Sequence, residues 1–422
     1  MAEIDPAERR ARGAELRLYY LLVALYFFSF GVQIVLYPSL AAFTLGAHPA
    51  AVGLAQVALS APMFFFLLFG GALAERVQTG PTLAALQLML AAPMLALAWI
   101  VARGQLTFPL LLAYGAATGT LAAFMLPVRD SALNGVVERD LARGRSVGLA
   151  RAAATTAAVQ IGAQILGILL ARLAGDDPAP YLATQAGALI LGAALSLRLR
   201  APPPDAHKGR SLVSAFGDIR DGLIYALKSP VMGPMIGSAA YIGVFVVGSF
   251  QVLFPLIIRE SYGGDAAEQA GRLGFLFACF WGACFVSAAA LSRLPPANFP
   301  GRALALSHLV GAFALLSFAI DKPFLMFAGV VVVWGLAGGI SIGSSRMITQ
   351  AAAEPRYLGR VLAAYSMGFM GGAPIGSALV GFSAAAWGAR AAAIIPAVGL
   401  ALAVLALIAF TPIWRLRNPS LS

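Results

Sequence analysis

Apolar residues run along this chain in twelve stretches, each about the length of a bilayer crossing, and the polar residues gather between them. The stretches are Leu18–Phe43, Ala50–Ala74, Thr82–Ala102, Thr107–Val128, Gly148–Ala171, Tyr181–Leu197, Val231–Ile258, Leu273–Ser292, Ala303–Ile320, Pro323–Ile348, Val361–Ala384 and Ala391–Ile413. A helix rises about 1.5 Å per residue, so about 20 apolar residues cross the hydrocarbon core. No Asp or Glu lies in the middle of any stretch. A soluble fold has no way to bury so much apolar surface. The pattern predicts an all-α integral membrane protein with twelve transmembrane helices.

Charge placement sets the topology. Hydrophobic residues make up 60% of the chain and charged residues 11%, and the net charge is +11. Such a positive balance can mark a nucleic-acid binder, but the positions exclude that. With the N-terminus inside, only Arg103, Arg172, Arg259, Arg272, Lys322 and Arg390 of the 29 Lys and Arg fall outside. This is the positive-inside asymmetry, and it predicts both termini in the cytoplasm and a multi-pass protein of the plasma (inner) membrane. The remaining positive charge suits anionic lipid headgroups in the bilayer partner. The first apolar run is too long for a signal-peptide core.

The reactive residues exclude several chemistries. Cys279 and Cys284 lie in one span, five residues apart, and point to different faces. His48, His207 and His308 are scattered. Nothing clusters as a metal site, so no cofactor and no metal-dependent enzyme activity is expected.

The chain repeats itself at an offset of 217 residues. Gly31, Val35, Leu36 and Pro38 recur as Gly248, Val252, Leu253 and Pro255, and Arg76, Arg129, Arg139 and Arg143 as Arg293, Arg346, Arg356 and Arg360. The expected organisation is a six-helix bundle over 1–197, a cytoplasmic loop over 198–230 and a second six-helix bundle over 231–422. In the loop, Leu212, Phe216, Ile219, Leu223 and Leu227 share one face, which predicts an amphipathic helix on the inner membrane surface. Carriers built from such repeats hold their substrate between the halves, near the midplane.

After the second span comes Gly70-Gly71-Ala72-Leu73-Ala74-Glu75-Arg76. With six spans per half and a long central loop, this resembles the major facilitator superfamily, although Glu75 replaces that motif's Asp and Val77–Gly80 lacks its closing Gly and basic pair. The segment Glu354–Val361, then Gly372-Ala373-Pro374-Ile375-Gly376, is similar to the branch that holds the enterobactin exporter and the macrolide efflux (transmembrane secretion effector) proteins. The resemblance implies the major facilitator fold, two pseudo-symmetric bundles of six helices. It also implies a latch on the cytoplasmic side built on Gly70, Gly71, Glu75 and Arg76, with Glu75 at the start of the eleventh span and Arg76 within reach of Asp130. Asp130, Arg129, Arg346 and Arg360 are further candidates for it.

Polar and aromatic stripes mark the candidate cavity. Tyr26, Phe30, Gln33 and Tyr37 recur at one face of the first span, and Tyr241, Phe245, Gly248 and Val252, with Gln251 beside them, at the equivalent spacing of the seventh. Thr156, Gln160 and Gln164 form a stripe in the fifth. Tyr114 and Thr118 in the fourth span and Trp334, Ser341 and Ser345 in the tenth join them. Amides facing lipid cost energy, so these faces point inward, either onto a substrate or into hydrogen bonds between helices. Glycines at four-residue spacing, Gly115 and Gly119, Gly339 and Gly343, and Gly368, Gly372 and Gly376, predict close helix packing.

The expected function is secondary active export, by alternating access, of small amphipathic organic molecules such as a siderophore or drug-like compound, from a monomer. Protons are the candidate coupling ion and Asp130 the candidate coupling residue. Two alternatives stand beside it: an uptake facilitator or lysophospholipid flippase of the same fold, and a non-transporting scaffold or receptor.

Overall fold

The computed structural model describes residues 14–74, 76–142, 148–175, 177–199, 224, 228–291, 293, 298–352 and 358–417. They form twelve long helices: α1 (Ala14–Thr44), α2 (Pro49–Ala74), α3 (Thr79–Ala102), α4 (Phe108–Ala142), α5 (Leu149–Ala171), α6 (Ala179–Ser196), α7 (Met232–Ser261), α8 (Ala266–Leu291), α9 (Pro300–Ser317), α10 (Phe324–Ala352), α11 (Leu358–Trp387) and α12 (Ala389–Phe410). Eleven are long and apolar enough to cross a membrane. The other is α9, where Arg302, Ser307 and His308 dilute the apolar run. The amphipathic segment expected at 211–228 lies almost wholly outside the described residues.

Helix ends follow local chemistry. Ser229 Oγ, just ahead of α7, accepts from the Val231 and Met232 amides at 3.4 and 3.2 Å. Asp177 and Asp265 accept in the same way from the Ala179 and Glu268 amides at the starts of α6 and α8, at 3.1 and 2.8 Å, because helix N-termini carry free amides that a side-chain oxygen can take. One helix runs far past its apolar span. The fourth span was expected to stop at Val128, and α4 continues to Ala142. Charge ends the stretch that can sit in lipid, but it does not end a helix.

The repeat seen in the sequence is also a repeat in packing. In the first half α1 packs on α5 and α6, α2 on α4, and α3 on α4 and α6. In the second, α7 packs on α11 and α12, α8 on α10, and α9 on α10 and α12. Each pair maps onto its counterpart six helices later. The glycine series in α11 serves one of these seams: a Cβ on Gly372 would overlap the Ala240 carbonyl of α7, and one on Gly376 the Val244 carbonyl. The backbones touch there because nothing projects between them.

Two places depart from regular α geometry. Leu40–Thr44 ends α1 in a π turn, and Gly243–Val247 is a π turn inside α7. One extra residue per turn shifts the phase of everything beyond it.

The halves meet through α2 against α11, α5 against α8, and α1 against α7 and α8. The contacts cluster at the end of the molecule remote from the two ends of the described chain, here the distal end. Arg259 Nη1 donates to the Ala42 and Ala47 carbonyls at 3.2 and 2.6 Å. Arg259 and Ala42 are themselves 217 residues apart, so this contact sits at the repeat's pseudo-twofold axis. The Arg172 guanidinium stacks 5.2 Å from the Phe275 ring. Gly53 of α2 and Gly381 of α11 approach backbone to backbone. Midway along the seam, the Phe64 ring packs on Gly371. Among the described residues, all but one of the distal connections contain a glycine of positive φ (Gly46, Gly104, Gly175, Gly263, Gly264, Gly388), which lets them turn tightly.

Candidate functional site

The structure divides the sequence-predicted cavity residues into two groups. Gln33, Tyr37, Tyr114, Thr118 and Gln164 are buried inside the first bundle. Tyr37, 2% exposed, donates to the Ala55 carbonyl at 2.7 Å and lies 3.5 Å from that of Leu111, so it ties α1 to α2 and α4. Gln33 donates to Thr118 Oγ1 at 3.4 Å and accepts from Gln185 at 3.3 Å, joining α1, α4 and α6. The Tyr37 and Tyr114 rings lie 5.8 Å apart. Gln164 sits where its backbone carbonyl closes on Gly31. These polar groups face one another because hydrocarbon offers no partner. For Gln33, Tyr37 and Thr118 the stripe makes hydrogen bonds between helices, whereas the Tyr114 hydroxyl and the Gln164 amide nitrogen are buried without such a bond among the described residues. Tyr26 is also buried, edge-on to Phe27 at 5.2 Å.

In the second bundle Trp334 is a core residue. It is 3% exposed, with ring centroids of Phe280, Phe318, Phe250 and Phe254 at 5.3 to 6.2 Å. Aromatic pairs at such spacing add to area burial. The expected stripe Tyr241, Phe245, Gly248 and Val252 is not a single face. The π turn lies between Tyr241 and Gly248, and it turns Gly248 onto α11, where a Cβ would meet Ser377 N at 2.6 Å. Phe245 packs on Gly399 of α12.

Phe30, Gln160, Tyr241, Phe245, Gln251 and Ser341 are partly exposed. Tyr241 and Ser341 belong to a chain that sequence reading missed. Tyr241 OH lies 2.7 Å from His308 Nδ1, and His308 Nε2 lies 2.7 Å from Ser341 Oγ. With the ring proton on Nε2, Tyr241 donates to His308 and His308 donates to Ser341. The chain links α7, α9 and α10 through a residue only 3% exposed. A signal existed: an ionisable side chain inside an apolar span is a candidate for a specific role wherever it occurs. Nearby, Ser345 and Tyr365 hydroxyls meet at 2.6 Å across α10 and α11.

Arg129 and Gln160 form the second polar group. Arg129 is 8% exposed. Its Nε and Nη2 donate to Asp130 Oδ1 at 3.0 and 2.7 Å. With the Gln160 amide turned so that its oxygen faces the cation, Nη1 and Nη2 donate to it at 2.9 and 3.2 Å. The Phe27 ring lies 5.1 Å from the guanidinium carbon. Three helices, α1, α4 and α5, thus converge on one charge.

The latch candidates separate as well. Gly70 is a packing residue, since a Cβ there would overlap the Ala123 carbonyl of α4, whereas Gly71 faces open space. Arg76 and Arg346 are exposed at the end opposite the distal contacts. Glu75 and the side chain of Arg360 lie outside the described residues.

Twelve helices in two matching bundles, meeting at one end, define a membrane carrier architecture. The chain belongs to the Major Facilitator Superfamily, whose family model matches residues 19–370. Solved structures agree on the fold. The nucleoside transporter NupG superposes with a TM-score of 0.72 at 13% identity, over 93% of this chain and 99% of that one. A bacterial homologue of the human lysosomal transporter Spinster, inward-facing and unoccupied, gives 0.68 at 16% identity, over 98% of each chain. A D-xylose–proton symporter gives 0.70 at 12% identity, over 95% of this chain and 98% of that one. No curated protein matches the sequence. The chain is a multi-pass membrane transporter of this superfamily, acting on a small molecule, and not an enzyme.

Proposed function

We propose that this transporter exports small, largely apolar organic molecules by alternating access, with both termini in the cytoplasm. The observation that carries the reading is the one-sided contact between the halves. Arg259 on the α1 carbonyls, Arg172 on Phe275 and Gly53 on Gly381 all close the distal end. With the termini inside, the distal end is the external one, and this is the state that receives a molecule from the cytoplasm. Phe30, Gln160, Tyr241, Gln251 and Ser341 are the side chains available to it, and apolar walls with a few placed polar groups suit an amphipathic ligand. The resemblance of Glu354–Val361 and Gly372–Gly376 to an exporting branch supports the outward direction. Asp130 as a proton-coupling residue is not carried into the proposal: its carboxylate is two-thirds exposed, and nothing in the geometry ties its protonation to a change of state.

The test is comparative metabolite profiling of medium and cells, with and without the gene, paired with efflux of preloaded apolar dyes. Compounds retained by deletion cells and released on complementation are the expected result. Identical profiles and identical dye efflux would sink the proposal, and reduced uptake in the deletion strain would reverse its direction.

A further inference from the structure

The Arg129 cluster carries more than a structural pair requires. A guanidinium taken out of water is costly unless its charge is compensated. Its anionic contact is Asp130, with the Arg129 side chain 10% exposed and the Asp130 side chain 66% exposed. Adjacent residues on a helix do not face each other. Arg129 reaches Asp130 only by folding along α4. The carboxylate, already in water, gives up little on leaving, because exposed ion pairs are weak. The edge it occupies is Nε and Nη2, the fork that matches a carboxylate or phosphate in two parallel bonds. Gln160 holds the other edge and fixes the plane. Beside the cation stands the partly exposed Phe27 ring, and a second partly exposed ring, Phe30, lies 6.0 Å from Phe27, edge to face. The buried Tyr19 hydroxyl is within electrostatic reach of Arg129.

We propose that the Nε–Nη2 edge of Arg129 is an anion subsite, and that the transported molecule carries an oxyanion on an apolar, aromatic body. The incoming oxyanion replaces Asp130 on the fork, and Asp130 swings into water. The body lies against Phe27 and Phe30. Asp130 is then an internal competitor that keeps the cation compensated while the site is empty. This rests on the transporter reading and names its substrate class.

The experiment uses the purified full-length protein in detergent micelles and a matched pair of probes, 1-naphthaleneacetate and its neutral amide. Native protein should bind the acid about tenfold or more tighter than the amide, the discrimination a bidentate charged contact supplies. Arg129→Gln should level the two. Asp130→Asn, with its fold checked by its thermal unfolding curve, should tighten the acid severalfold and leave the amide unchanged. Equal binding of the pair by native protein, no binding of the acid, or acid binding that Asp130→Asn leaves unaltered or weakens would each overturn the subsite. Added phosphatidylglycerol supplies the other source of an oxyanion. If it stabilises native protein but not Arg129→Gln, and the acid does not compete, the fork serves a lipid headgroup and the substrate assignment fails. The binding test needs no gradient. Lost export with a retained acid preference would therefore count against the transport reading alone.

Discussion

At the scale of one residue, His308 has the clearest consequence. Replacing it with Leu keeps an apolar volume in α9 but strands the Tyr241 and Ser341 hydroxyls that it joins. A polar group left unpaired in the interior costs about 1–3 kcal/mol. The His308→Leu protein should therefore unfold at a lower temperature than native in detergent. Matching unfolding curves would show that the chain contributes nothing to the bundle. Phe30→Ala should do the reverse: the ring is partly exposed, so stability should change little while the apparent affinity for an exported compound falls. Burial separates these two residues, and the sequence pattern pointed to Phe30 alone.

Elements are decided by how closely backbones approach. Gly70 and Gly71 are neighbours in one motif, yet α4 lies against the first and open space against the second. Gly70→Ala must push α4 away at the Ala123 carbonyl and should lower thermal stability. Gly71→Ala meets nothing and should be neutral or favourable by up to about 1 kcal/mol, since Ala forms helix better than Gly. Equal effects of the two substitutions would contradict the α2–α4 seam described here. The π turn in α7 works at the same scale. It leaves Tyr241 on His308 while turning Gly248 onto α11, two contacts that a regular helix of this sequence would not satisfy together.

For the whole molecule, the balance between two closed ends is what matters. Arg259 holds the distal end through two backbone carbonyls. Arg259→Gln removes a charged donor and should shift the population toward the state closed at the other end; a loss of about 1.4 kcal/mol changes the ratio tenfold. Spin labels at Asn134 on α4 and Ile342 on α10 should report a shorter distance in that variant. Arg76→Ala, at the opposite end, should leave the distance long and still slow transport, because it weakens the state that is not populated here. Unchanged distance distributions in Arg259→Gln would remove it from the gate.

The sequence by itself determined the membrane class, the twelve spans, the twofold repeat and the small-residue seams. These follow from local hydropathy, charge placement and spacing, which any helix in lipid must obey. The tertiary structure alone decided which polar faces turn toward a bundle interior and which stay open. A stripe such as Tyr26, Phe30, Gln33 and Tyr37 looks the same whether α4 and α6 cover it or a substrate does. Nor does helical periodicity reveal a π turn, which is why the α7 stripe failed as a single face. His308 gains its partners from helices far away in the chain, Tyr241 and Ser341 being 67 and 33 residues from it, and Arg129 adds Gln160 of α5 and Phe27 of α1 to the adjacent Asp130. Such meetings depend on how helices pack, and no single helix encodes them.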